Sequence, residues 1–183
     1  MKNFYYFNDD INIETVNNLV EKLQGYEGKI ELYFSTYGGE IPSMRFLIKF
    51  LNSLGDRITV TLTDIVMSAG TLLLLDYTGK LKIDYENVNC ILFHFIDREG
   101  YSLRSGGTVS EKVLVSQVVE MNKVLAEKIK NKGLLTDKQL KQFNKGRDVV
   151  AYQEQIATWN LAHSEKKKKR VVSFRKEMSP STL

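Results

Sequence analysis

The alternation of helix-period and strand-period apolar segments, joined by short connections, limits the fold of this chain more than any other feature. Ile13, Val16, Leu19, Val20 and Leu23 recur at helical spacing, and Gly25 supplies a stop. Lys29 to Phe34 then reads as a strand and runs into the turn Tyr37-Gly38-Gly39. Pro42 suits the first turn of a helix carrying Met44, Leu47, Ile48 and Leu51 as far as Gly55. The β-branched run Ile58 to Leu62 is a second strand, and Ser68-Ala69-Gly70 opens an apolar helix from Thr71 to Tyr77. Leu81 to Ile83 and Cys90 to Phe93 read as two short strands. Ser110 to Lys132 reads as one long helix, Thr136 as the cap of another, and Tyr152 to Trp159 as a last short one. Strand–helix–strand order of this kind implies an α/β fold with mainly parallel strands.

No internal repeat or linker divides the body, so one domain is expected over residues 1–163. The net charge of +4 belongs to the end of the chain. Residues 164–183 hold seven Lys/Arg and two Glu, which leaves the remainder at −1. That tail reads as a solvated, disordered segment, and a nucleic-acid partner is not expected. No apolar run approaches the roughly 20 residues that span a bilayer, so no membrane partner is expected either. The N-terminal residues carry no apolar signal core, and Cys90 is the single cysteine. A reduced, cytoplasmic location fits both observations.

Histidine supply narrows the chemistry. There are two, and His163 borders the charged tail, whereas His94 ends the apolar run Cys90 to Phe93. Strand ends in parallel α/β folds are where reacting groups gather. On its own a histidine there is more often structural than a base. Ser68 lies between a strand and an apolar helix with small residues behind it, a setting that can expose a nucleophilic oxygen or simply cap the helix. Gly38-Gly39 can be only a turn, or it can let backbone N–H groups face an oxyanion. No metal-ligand spacing and no glycine-rich nucleotide motif occurs, so no cofactor is expected.

Taken in order and spacing, these segments resemble ClpP, the proteolytic subunit of the Clp protease, over roughly residues 3–163. Ser35-Thr36-Tyr37-Gly38-Gly39 is similar to the family's Asn-Ser-Pro-Gly-Gly, with Tyr37 standing for the proline. Met67-Ser68-Ala69-Gly70 is similar to its Ala-Ser-Met-Gly, and Ser68 follows Gly39 by 29 residues as the family's arrangement requires. Ile91-Leu92-Phe93-His94 resembles the strand ending in Met-Ile-His, although Phe95-Ile96 replaces the following Gln-Pro. Arg147-Asp148-Val149-Val150 resembles the Arg-Asp pair that carries the triad aspartate.

The resemblance implies a crotonase-type spiral of βαβ units and hydrolysis of peptides or unfolded proteins by a Ser-His-Asp triad. Ser68 would be the nucleophile, His94 the base and Asp148 its orienter, with backbone N–H groups of Gly39 and Ala69 as the oxyanion hole. It also implies homo-oligomeric rings joined through a long handle helix. Ser110 to Lys132, about 34 Å at 1.5 Å per residue, is longer than a body of this size needs. The stretch from Arg98 to Thr108 is slightly longer than its family counterpart. Met1 stands almost at the first strand, Phe4 to Phe7, where the family has a segment that engages an unfoldase ATPase, so that partnership is not expected. Two other functions fit the same pattern: a catalytically silent ClpP-like scaffold subunit, and a crotonase-type acyl-CoA enzyme.

Overall fold

A computed structural model describes residues 2–96 and 111–159. The basic tail, His163 and the stretch from Arg98 to Thr108 lie outside the described residues. The fold is α/β. Five strands form one mixed sheet in the order β1 (Lys2–Asn8), β2 (Lys29–Thr36), β3 (Ile58–Met67), β4 (Lys80–Phe93) and β5 (Val149–Tyr152). The first four are parallel and β5 runs antiparallel to β4.

Helices α1 (Ile13–Gln24), α2 (Ile41–Ser53) and α3 (Leu72–Asp76) fill the connections between the parallel strands. α1 packs on α2 and α2 on α3, the arrangement produced by crossovers of one hand. The first helix starts where its chemistry says it should. Asn12 accepts from the Thr15 N–H (2.9 Å), while Thr15 Oγ1 accepts from the Asn12 N–H (3.2 Å). Its apolar stripe, Val16, Leu19, Val20 and Leu23, is buried against the sheet. α2 buries Met44, Leu47, Ile48 and Leu51 in the same core as Leu32, Phe34, Val60 and Leu62.

After β4 come α4 (Glu111–Asn131), α5 (Asp137–Phe143) and α6 (Gln153–Ile156). The long helix and the Thr136 cap agree with their sequence signals, and Thr136 makes a capping box with Gln139. Among the described residues no helix is long and apolar enough to cross a membrane.

Two expectations need correction. Leu81–Ile83 and Cys90–Phe93 are not separate strands but the two ends of β4. Between them the pairing with β3 slips, from Leu62↔Ile83 to Asp64↔Val88, so the polar run Asp84 to Asn87 is a bulge inside one strand. Asn87 Nδ2 donates to Asp84 Oδ2 (2.8 Å) there, and these polar side chains break the apolar periodicity that marks a strand. The last helix is also shorter than expected: Tyr152 pairs with β4 at its start, and after Gln153–Ile156 the chain turns, with the Thr158 and Trp159 N–H groups donating to the carbonyls of Gln155 and Ile156.

The sheet and the turn at Ser68 meet at Gly70. A Cβ there would stand 2.4 Å from Thr36 Cγ2 and 3.3 Å from Val66 Cγ1. Gly70→Ala is therefore expected to destabilise the fold by about 1–3 kcal/mol, the usual cost of overpacking. Urea unfolding followed by far-UV circular dichroism reads this directly; an unchanged midpoint contradicts the close approach.

Candidate active site

Ser68 stands at the C-terminal end of β3 as the first residue of a 3-10 turn, Ser68–Thr71, that leads into α3. Its backbone has φ of +53°, a left-handed conformation that serine adopts at a cost of about 1–3 kcal/mol. The surroundings enforce it. Thr71 Oγ1 donates to the Ser68 carbonyl (2.7 Å) and holds the turn tight. On the other side lies Gly38, where an added Cβ would come within 2.5 Å of Ser68 Cβ. A strained strand-to-helix turn of this kind lifts a side-chain oxygen out of the sheet.

β4 brings the second group. His94 follows directly after Phe93, and its Nε2 lies 2.6 Å from Ser68 Oγ. With the ring proton on Nδ1, the serine hydroxyl donates to Nε2, the hydrogen bond through which a base removes that proton. The geometry joins two residues 26 positions apart in sequence.

Asp148 arrives differently. The β4–β5 ladder ends at Phe93↔Val149, and one further antiparallel step sets Asp148 opposite His94. Its residue is exposed, and no hydrogen bond or ion pair joins it to His94 among the described residues. Thus Asp148 stands beside His94 in register and makes no hydrogen bond to its ring among the described residues.

Gly38 and Gly39 have φ of +114° and +138°, values that side chains rarely tolerate. Ile11 clamps the turn: its N–H donates to Gly38 O (2.7 Å), and its carbonyl accepts from the Glu40 N–H (2.6 Å). In that bridge the Gly39 N–H is left unused. Thr36 braces the same turn. It is buried, its Oγ1 accepts from the Gly38 N–H (2.9 Å), and the same hydroxyl donates to Asp9 O (2.8 Å). Ala69 is the second residue of the 3-10 turn, where N–H groups have no partner within the helix. Both proposed donors therefore flank one cleft with Ser68 and His94.

That cleft encloses ≈ 550 Å³. Its walls are mostly apolar, with Ile41, Leu72, Phe95, Met121, Val124 and Leu125 prominent. Met121, Val124, Leu125 and Lys128 recur at helical spacing on α4, so one face of the long helix closes the site. Asp76 and Lys128 form an ion pair across the cleft, whereas Arg45 has no ion pair among the described residues.

Cys90, the other conceivable nucleophile, is not in this cleft. Burial, with a smaller contribution from the charge of Asp64, raises its thiol pKa and disfavours the reactive thiolate. Among the described residues no three His, Cys, Asp or Glu side chains cluster as metal ligands.

Three side chains that bond backbone around the cleft escaped the sequence reading: Thr36, Thr71 and Asn122, the last bonded to both the N–H and the carbonyl of Ile96. The first two sit beside the glycine pair and the serine. Asn122 interrupts the apolar stripe of Val118, Met121, Leu125 and Ile129, and a polar residue on that stripe was the available signal. No family model and no curated protein sequence matches the chain.

Proposed function

We propose that this chain is a ClpP-like serine endopeptidase that hydrolyses peptides or unfolded proteins. The observation that carries the proposal is the Ser68–His94 hydrogen bond at a strained turn. Ser68 Oγ attacks the scissile carbonyl carbon as His94 Nε2 takes its proton. The carbonyl oxygen becomes an oxyanion facing the N–H groups of Gly39 and Ala69. His94 then gives the proton to the leaving amine, and water hydrolyses the acyl-enzyme by the same steps in reverse order. Asp148 is the third member, closing on His94 when substrate or a neighbouring subunit completes the site, because such hydrogen bonds often tighten only in the working complex.

The proposal includes the crotonase-type spiral, a cytoplasmic location and homo-oligomeric rings that enclose the active sites. Exposed aromatic groups support assembly: Phe4 and Tyr6 on edge strand β1 stack with Tyr33 and remain 56% and 74% exposed. Light scattering at micromolar concentration is expected to give a mass several times that of the 21.0 kDa chain. A monomer at that concentration contradicts the ring.

Hydrolysis of fluorogenic peptides and a denatured protein, set beside an acyl-CoA thioester, tests the activity. Peptide cleavage lost in Ser68→Ala supports the peptidase. Thioester turnover that survives Ser68→Ala instead identifies a crotonase-type enzyme, and a folded, assembled but inert protein identifies the silent scaffold.

A further inference from the structure

The segment that carries the base has lost its ladder. β4 ends at Phe93, and His94, Phe95 and Ile96 continue as irregular chain along the cleft, half-buried. A backbone N–H and carbonyl in that position need partners. Those of Ile96 are both met by a single side chain from α4. Asn122 Oδ1 accepts from the Ile96 N–H (2.9 Å), and Asn122 Nδ2 donates to the Ile96 carbonyl (3.0 Å). Asn122 is 6% exposed, and these are its side-chain hydrogen bonds among the described residues. A carboxamide offers one acceptor and one donor side by side at any ordinary pH, so the pair imitates the strand partner that β4 no longer has.

The position matters because of what lies on either side. Two residues before Ile96 is His94, whose Nε2 is 2.6 Å from Ser68 Oγ. One residue before Asn122 is Met121, part of the cleft wall. Six residues later, Lys128 is paired with Asp76 at the end of α3, the helix that follows the Ser68 turn. The long helix is thus tied by side chains to both catalytic segments. Ile96 is also where the resembled family has proline, a residue with no N–H to give to such a clamp.

We propose that Asn122 is a positioning residue for the base: its carboxamide, bonded to both backbone polar groups of Ile96, keeps His94 Nε2 within reach of Ser68 Oγ. The inference rests on the peptidase reading and adds a residue outside its triad. Asn122 touches neither the substrate nor the reacting atoms. It acts by restricting where the imidazole can stand, and a misplacement of about 1 Å can cost on the order of 10²-fold in rate.

The test titrates active serines with a fluorophosphonate and measures peptide turnover per titrated site in the full chain. Asn122→Ala is expected to lower kcat per site by about 10²-fold while KM stays within about threefold. Asn122→Asp keeps the acceptor for the Ile96 N–H but faces its carbonyl with an oxygen, so an intermediate kcat is expected. It also serves if Asn122→Ala does not fold. Lys123→Ala, an exposed neighbour, is expected to match wild type. A purely structural role gives fewer titratable sites, each with wild-type kcat, and that result overturns the inference while leaving the peptidase intact. Wild-type protein that neither labels nor cleaves overturns both.

Discussion

Ser68→Ala is expected to lower peptide hydrolysis by on the order of 10⁴–10⁶-fold in kcat. The substitution removes the attacking atom and leaves the cleft walls in place. His94→Ala is expected to fall almost as far, and the double variant no further, since nucleophile and base act as one unit. Asp148→Ala is expected to lose less, about 10²–10⁴-fold, because in this mechanism the aspartate orients the base and takes no proton itself. Stability gives a second handle on the same residue. Ser68 holds φ at +53°, and only glycine adopts that conformation without strain. Ser68→Gly is therefore expected to be inactive and yet more stable than Ser68→Ala by about 1 kcal/mol. Peptide assays paired with urea unfolding check both halves. Retained hydrolysis in Ser68→Ala removes the mechanism, and equal stability of the two variants removes the strain argument.

The second large effect is at Gly39. A Cβ there would lie 2.1 Å from the Ile11 carbonyl oxygen and 2.9 Å from the Ile11 nitrogen. Those contacts are with backbone and cannot swing away. The φ of +138° adds strain of about 1–3 kcal/mol for any side chain. Gly39→Ala must then either break the Ile11 bridge or turn the Gly39 N–H away from the cleft. Where the protein still folds, kcat is expected to drop by about 10²–10³-fold, the cost of losing one oxyanion donor, and unfolding by urea is expected at a lower midpoint. Ile11→Ala is the informative partner: it trims the side chain and keeps the clamping backbone, so it is expected to lose stability with a much smaller loss of kcat per active site. A Gly39→Ala enzyme with wild-type kcat contradicts the assignment of that N–H.

The sequence disclosed those parts of the fold in which local chemistry and tertiary environment agree. The stripe of α1 and its Asn12 cap, Pro42 in the first turn of α2, and the Thr136–Gln139 box each act within one turn of helix. Ser68 was legible for the same reason, as a serine between a β-branched strand and an apolar helix. Its positive φ was not, because a left-handed serine has no local sequence signature, and Gly38, whose added Cβ would meet Ser68 Cβ, comes from a different strand connection. The continuity of β4 was hidden by its polar bulge, where pairing to β3 and not side-chain pattern holds the strand together. The Thr36 hydroxyl and the Asn122 carboxamide were hidden more deeply. Each satisfies a backbone group brought near it by folding, Thr36 that of Asp9 from 27 residues away and Asn122 those of Ile96 from 26, and no spacing rule encodes such a contact.

The most direct measurement is to label the purified protein with a fluorophosphonate and locate the adduct by peptide mass spectrometry. The account predicts one adduct, on Ser68, absent in Ser68→Ala and formed far more slowly in His94→Ala. An unlabelled Ser68 in folded, assembled protein, or an adduct that forms equally fast without His94, contradicts it.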